Sequence, residues 1–133
     1  MKVAAAAIPS PTPTPTPTRL RPRTQIVAAC DLDAENLARF QKEYDVPEGD
    51  TDLAKLLERI QPDLVSICTY VGSHVPIFDV VKAARPKGIL MEKPFALCMD
   101  DVRRLTRESA ELDIKLAVNH FRRLAPAYAK VRE

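Results

Sequence analysis

Four short segments place polar side chains directly after apolar runs. Asp31 follows Ile26–Cys30 (IVAAC), and Thr69-Tyr70-Val71-Gly72-Ser73-His74 follows the run LVSIC. Glu92-Lys93-Pro94 follows Ile89–Met91, and Asn119-His120-Phe121-Arg122-Arg123 follows Ile114–Val118. A carboxylate placed like Asp31 can accept two hydrogen bonds from ribose hydroxyls and repels a 2′-phosphate. Its other use is to cap the next helix, but Asp33 is better placed for that. Lys93, at a strand end between an acid and a proline, can set its charge beside a substrate oxygen. There it would stabilise a developing alkoxide during hydride transfer. The plainer alternative is a solvated lysine paired with Glu92. His74 stands near a helix start, where a structural role is the simpler reading.

The elements that must carry these groups are legible from periodicity. Asp33 can cap a helix with Leu37, Phe40 and Tyr44 on one side. Leu53, Leu56, Leu57 and Ile60 fall at i, i+3, i+4, i+7, as do Ile77, Val80, Val81 and Ala84, with Pro76 near the first turn. Asp100 can cap a fourth helix with Val102, Leu105 and Leu112 inward. Between the helices lie strands at 26–30, 64–68, 89–91 and 114–118, continuous in apolar character as strands covered on both faces should be. Strand and helix alternating in this way predict right-handed crossovers and a parallel sheet. Ligands bind beyond the carboxyl ends of such strands, where the four polar segments all lie.

Composition narrows the function classes. The chain has 133 residues, 46% hydrophobic and 29% charged, the size of one domain. Its net charge of +2 divides into +4 on residues 1–25 and −2 on the remainder, so a basic nucleic-acid surface is not expected. No apolar run approaches the roughly 18 residues of a membrane helix. Val3–Ile8 is shorter than a secretory apolar region, so no signal peptide is expected. Cys30, Cys68 and Cys98 form no Cys-x-x-Cys pair and have no histidine cluster beside them, so neither a metal site nor a disulfide framework is predicted. Free cysteines in apolar runs suit a reducing, cytoplasmic setting. Residues 9–23 (PSPTPTPTPTRLRPR) carry proline at alternate positions and exclude a helix; an extended, solvated, disordered linker or tail is expected, with an SH3-type ligand as the alternative.

VAACDLDAENLARF, DLVSICTYVGSH, ILMEKPFAL and VNHFRRLAPAY together resemble, in order and spacing, the N-terminal domain of the Gfo/Idh/MocA oxidoreductases, which act on sugars and polyols with a dinucleotide cofactor. The resemblance runs from about Ile26 to Glu133. It implies an α/β fold, a Rossmann-type parallel sheet with flanking helices, and a small-molecule cofactor, NAD or NADP, with NAD favoured by Asp31. It further implies that Asp31 binds the adenosine ribose and that Thr69, Tyr70 and His74 line the cofactor cleft. Glu92 and Lys93 would lie near the nicotinamide, Lys93 also facing a sugar or polyol substrate as the catalytic residue. Arg123 would approach the nicotinamide end, and Lys93–Pro94 is a candidate cis peptide. Tyr70 stands where the family commonly has proline.

Two departures accompany these matches. The family opens with a strand, a G-x-G-x-x-G loop and a helix whose N-terminus binds the pyrophosphate. The three glycines here are Gly49, Gly72 and Gly88, so no such loop is encoded. Residues 1–25 therefore read as a low-complexity segment with a residual first strand at 2–8, and 26–133 as the dinucleotide domain. Because alanine is a poor strand former, Val3–Ile8 is expected to fill the central slot of the sheet weakly or not at all, leaving it incomplete and cofactor binding impaired. The family's C-terminal substrate domain has no counterpart in these residues, and an inactive, non-catalytic interaction module is the alternative function.

Overall fold

The structure is a computed structural model that describes residues 24–120 and the backbone of residues 2–6. In chain order the elements are β1 (Lys2–Ala6), β2 (Gln25–Cys30), α1 (Ala34–Tyr44), β3 (Glu48–Asp50), α2 (Leu53–Ile60) and β4 (Leu64–Ile67). A 3-10 turn (Val71–Ser73) then leads into α3 (His74–Ala83), β5 (Gly88–Met91), α4 (Met99–Glu111) and β6 (Lys115–Val118). The six strands form one sheet in the order β3-β2-β1-β4-β5-β6, all neighbours parallel.

The central slot is filled, against expectation. β1 pairs with β2 from Lys2↔Gln25 to Ala6↔Cys30, and with β4 from Val3↔Leu64 to Ala6↔Ile67. The ladders use main-chain groups, which every residue here carries, and a strand between two partners satisfies donors on both sides. That gain outweighs the weak strand preference of alanine, which spans only about 1 kcal/mol across all residue types. The strand at Glu48–Asp50 was not anticipated from sequence, because Glu-Gly-Asp has no apolar pattern. The proline-rich run at residues 9–23 lies outside the described residues.

Strand register separates the two faces. Val65, Ile89 and Leu116 share one row, and Ile67, Met91 and Val118 another on the same side. On that side Val65, Ile67, Ile89 and Met91 pack against Leu57 of α2, Phe78 and Val81 of α3 and Leu105 of α4. Ala29 points the other way, into a smaller cluster with Leu37 of α1 and Val46. Gly88 is needed for close strand approach: a Cβ there would stand 2.7 Å from Leu64 Cδ2 and 3.2 Å from the Lys115 carbonyl oxygen.

Of the two helix caps read from the sequence one is found, and a third carboxylate caps α2 unannounced. Asp33 caps α1, its Oδ1 accepting from the N–H groups of Glu35 (2.9 Å) and Asn36 (3.2 Å), and Asp52 caps α2. Asp100 is not a cap; Cys98 holds that position without a side-chain bond, and Asp100 sits in the first turn of α4 paired with Arg103. A carboxylate there still gains from the helix dipole. With glycine scarce, left-handed turns fall on Asp45, Gln61, Arg85 and Asp113, at φ of 52°, 46°, 49° and 54°. Each such residue costs roughly 1 kcal/mol or more relative to an unstrained turn.

Between α3 and α4, Asp79, Lys82, Arg104 and Glu108 close a ring of ion pairs. Lys82 Nζ lies 2.6 Å from both acids, Arg104 Nε lies 2.9 Å from Glu108, and Arg104 also meets Asp79. Hydrogen bonds from Lys82 and Arg104 hold the Glu108 carboxyl below its ordinary range. This stabilisation is complete at neutral pH and is lost as pH falls through the depressed carboxylate titration.

The apolar stripe of α3 is shifted from its sequence reading: Phe78 is fully buried while Val80 is 38% exposed. Phe78→Ala should therefore lower stability by about 3–5 kcal/mol. Val80→Ala should change it by less than about 1 kcal/mol, both read by urea unfolding.

Candidate functional site

The carboxyl ends of β2, β4, β5 and β6 make one rim. At its β2 end Asp31 is 9% exposed, and both carboxylate oxygens are held. Oδ1 accepts from the Asp33 N–H at 2.9 Å, and Oδ2 from the Asn36 side-chain amide at 2.9 Å. The Arg39 guanidinium donates in turn to Asn36 Oδ1, so a chain of bonds from α1 fixes the carboxylate. A carboxylate oxygen has more than one acceptor direction. More acids gather nearby: Asp50 closes β3, and Asp52 caps α2. Burial first, then the charges of Asp50, Asp31 and Asp52, push the Cys30 thiol up to about 11.

Thr69 follows β4. Its hydroxyl oxygen is buried and has no hydrogen-bond partner among the described residues. Tyr70 is 78% exposed, with its carbonyl accepting from the N–H and hydroxyl of Ser73 at 2.9 and 2.7 Å. Its ring lies against Gly72, where a Cβ would approach Cε1 to 2.7 Å. His74 has no exposed surface. Nε2 lies 3.1 Å from the Thr69 carbonyl oxygen, and Nδ1 lies 3.1 Å from that of Phe95. The ring is thus enclosed in this conformation, in keeping with the structural role that is the simpler reading of its place at a helix start.

At the β5 end the Lys93–Pro94 peptide is cis, as the resemblance implied. The Glu92 carboxylate accepts from the Asn119 amide at Oε1 (2.5 Å) and from the Lys93 N–H at Oε2 (3.2 Å). The anticipated pairing of Lys93 with Glu92 thus runs through the lysine main chain. The exposed Lys93 ammonium has no ion-pair partner among the described residues, so its charge is available to a ligand. Arg123 lies outside the described residues. Asn36 was not singled out from sequence, and Asn119 was placed on the rim without a role; each is a common polar side chain whose partner comes from tertiary structure. Among the described residues no cluster suits a metal, and no helix is long and apolar enough to cross a membrane.

An open cavity of about 700 Å³ lies elsewhere, lined by Leu57, Gln61, Asp63, Val80, Ala84 and Lys87. These residues come from the C-terminal parts of α2 and α3 and from the chain just before β4 and β5, at the end of the sheet opposite the rim.

A family model described as the oxidoreductase family, NAD-binding Rossmann fold (Gfo/Idh/MocA), matches residues 14–120. The chain is 31% identical over 107 residues to D-apiose dehydrogenase of Paraburkholderia graminis, covering 80% of this chain and 28% of that protein. It is 25% identical over 108 residues to myo-inositol 2-dehydrogenase of Thermotoga maritima, covering 81% and 32%. It therefore spans about a third or less of the length of these curated relatives. Among solved structures, scyllo-inositol dehydrogenase of Lactobacillus casei with bound NAD(H) and scyllo-inositol is similar at a TM-score of 0.82 and 18% identity, over 98% of this chain and 39% of that one. UDP-N-acetylglucosamine 3-dehydrogenase of Acidithiobacillus ferrooxidans gives 0.80 at 24% identity, over 99% and 42%. At those identities the structures establish the fold.

The three thiols differ sharply in setting. Cys98 is exposed; Cys30 is buried, and burial also raises the Cys68 thiol. A neutral-pH thiol reagent should modify Cys98 in the folded chain and reach Cys30 and Cys68 only on unfolding, as mass spectrometry of labelled peptides would show. Rapid labelling of Cys30 would contradict the burial and charge described for β2.

Proposed function

Since the chain belongs to the Gfo/Idh/MocA family of oxidoreductases, we propose that it is the dinucleotide-binding part of an NAD-dependent dehydrogenase acting on a sugar or polyol. One observation carries this reading: a held carboxylate and an unpaired ammonium stand on the same edge of one parallel sheet. Asp31 follows β2 and Lys93 follows β5, three strand positions apart in the sheet. At about 4.8 Å per position that is roughly 14 Å, a gap suited to an elongated ligand.

The residues fit NAD at its two ends. Asp31 accepts from the adenosine ribose hydroxyls, and its charge, with Asp50 and Asp52 nearby, disfavours a 2′-phosphate. The partnerless Thr69 hydroxyl is offered to a polar ligand group, beside Tyr70. When bound, the nicotinamide supplies the hydride acceptor or donor. Lys93 would hold its ammonium at the substrate oxygen, stabilising the alkoxide from which hydride leaves, or which forms as hydride arrives at the carbonyl in the reverse direction. Glu92, fixed by Asn119, keeps the main chain of Lys93 in place. Arg123 is proposed for the nicotinamide end by resemblance. The named activities of the relatives, on apiose and inositol, support a polyhydroxylated substrate.

The middle of the cofactor fits less well. Residues 7–23 join β1 to β2, where the fold carries its phosphate loop, and they contain no glycine. That observation favours a second reading, a non-catalytic interaction module that does not bind cofactor tightly.

Calorimetric titration of the folded chain with NADH separates the two. The first reading predicts weak but saturable binding, with a Kd of about 100 µM or above, about 5.5 kcal/mol or less. That binding should weaken at least about tenfold in Asp31→Ala and prefer NADH to NADPH. No heat from a folded sample at millimolar NADH would favour the second reading.

A further inference from the structure

We propose that His74 is a positioning residue whose ring clasps the loop after β4 to the loop after β5, setting where Lys93 stands relative to Thr69. Both ring nitrogens point at main-chain oxygens, and those oxygens belong to different loops: Thr69 after β4 and Phe95 after β5, each at 3.1 Å. Among the described residues no other hydrogen bond joins residues 69–73 to residues 93–97. The ring is wholly enclosed and is carried by the first residue of α3, a helix fastened to the core through Phe78 and Val81.

The loop bearing Lys93 is thus tied on both sides. Upstream, Glu92 is held by Asn119 at the end of β6; downstream, Phe95 is held by His74. A histidine serving only as core volume needs one partner for its single N–H, whereas this ring makes a cross-link. The neutral ring donates to one carbonyl at a time, and the doubly protonated ring donates to both. The functional meaning of the clasp rests on the dinucleotide reading, in which Lys93 faces the substrate; the clasp itself does not.

Each loop carries sites for chymotrypsin, Tyr70 in one and Phe95 and Leu97 in the other, so limited proteolysis of the full chain reports their opening. His74→Phe keeps an aromatic ring and removes both nitrogens. Cleavage at Tyr70 and at Phe95 should rise together, about tenfold, with cleavage at Tyr44 in α1 unchanged. His74→Gln, whose amide nitrogen comes near the Nε2 position, should restore protection at Tyr70. His74→Asn, near the Nδ1 position, should restore it at Phe95. A folded His74→Phe chain with both loops cleaved within twofold of the wild-type rate would overturn the proposal. So would a uniform rise that includes Tyr44, since that reports lost core packing. Should His74→Phe not fold, nuclear magnetic resonance of the wild-type ring decides. Slowly exchanging ring N–H signal coupled to both the Thr69 and the Phe95 carbonyls supports the clasp, and coupling to only one of them, or free exchange, refutes it. These readouts need no cofactor, so loosened loops without NADH binding would retain the clasp and reject the dinucleotide reading.

Discussion

Main-chain ladders on both sides of a five-residue strand join the two halves of this sheet. β1 pairs with β2 through Lys2–Ala6 and with β4 through Val3–Ala6. Remove it, and β3-β2 and β4-β5-β6 become two small sheets, each with an open edge of unpaired donors and acceptors. The rim depends on the same join. Asp31 belongs to the β2 half, while Thr69, Lys93 and Asn119 belong to the other. β1, seated between β2 and β4, sets their separation and brings them to one edge.

Within each half, hydrogen-bonded polar groups hold the rim, and two of its side chains stay exposed. Asn36 and the Asp33 N–H fix Asp31; His74 and Asn119 fix the two sides of the Lys93 loop. Tyr70 and Lys93 remain exposed. Orientation is thus supplied by short local bonds and by helix starts. The partnerless hydroxyl of Thr69 lies between these supports, where a ligand donor or acceptor would relieve it.

Much of this was legible in the chain because the signals are local. Leu53, Leu56, Leu57 and Ile60 announce α2 by spacing alone, and Asp33 announces the start of α1. Asp31 and Lys93 could be placed at strand ends because each directly follows an apolar run. What escaped depends on distant partners. Phe78, not Val80, faces the core because α3 is rotated by the neighbours it packs on. Glu48–Asp50 becomes a strand only because β2 offers an edge. Asn119 and Asn36 look like any surface amide until Glu92 and Asp31 stand beside them. The burial of His74 was likewise invisible, since both acceptors are main-chain atoms.

The scarcity of glycine has a structural cost that the fold tolerates and a functional one that centres on the β1–β2 connection. Left-handed turns on Asp45, Gln61, Arg85 and Asp113 show the first. The glycine-free residues 7–23 bring the second, because they lead directly from the central strand. Whether the sheet keeps β1 despite that connection is the most direct question. Hydrogen exchange by nuclear magnetic resonance answers it at the amides of Ala4, Ala5 and Ala6. The account predicts protection comparable to that of Val65 and Ile67 in β4. Exchange at free-chain rates in Ala4–Ala6, with β4 still protected, would contradict it.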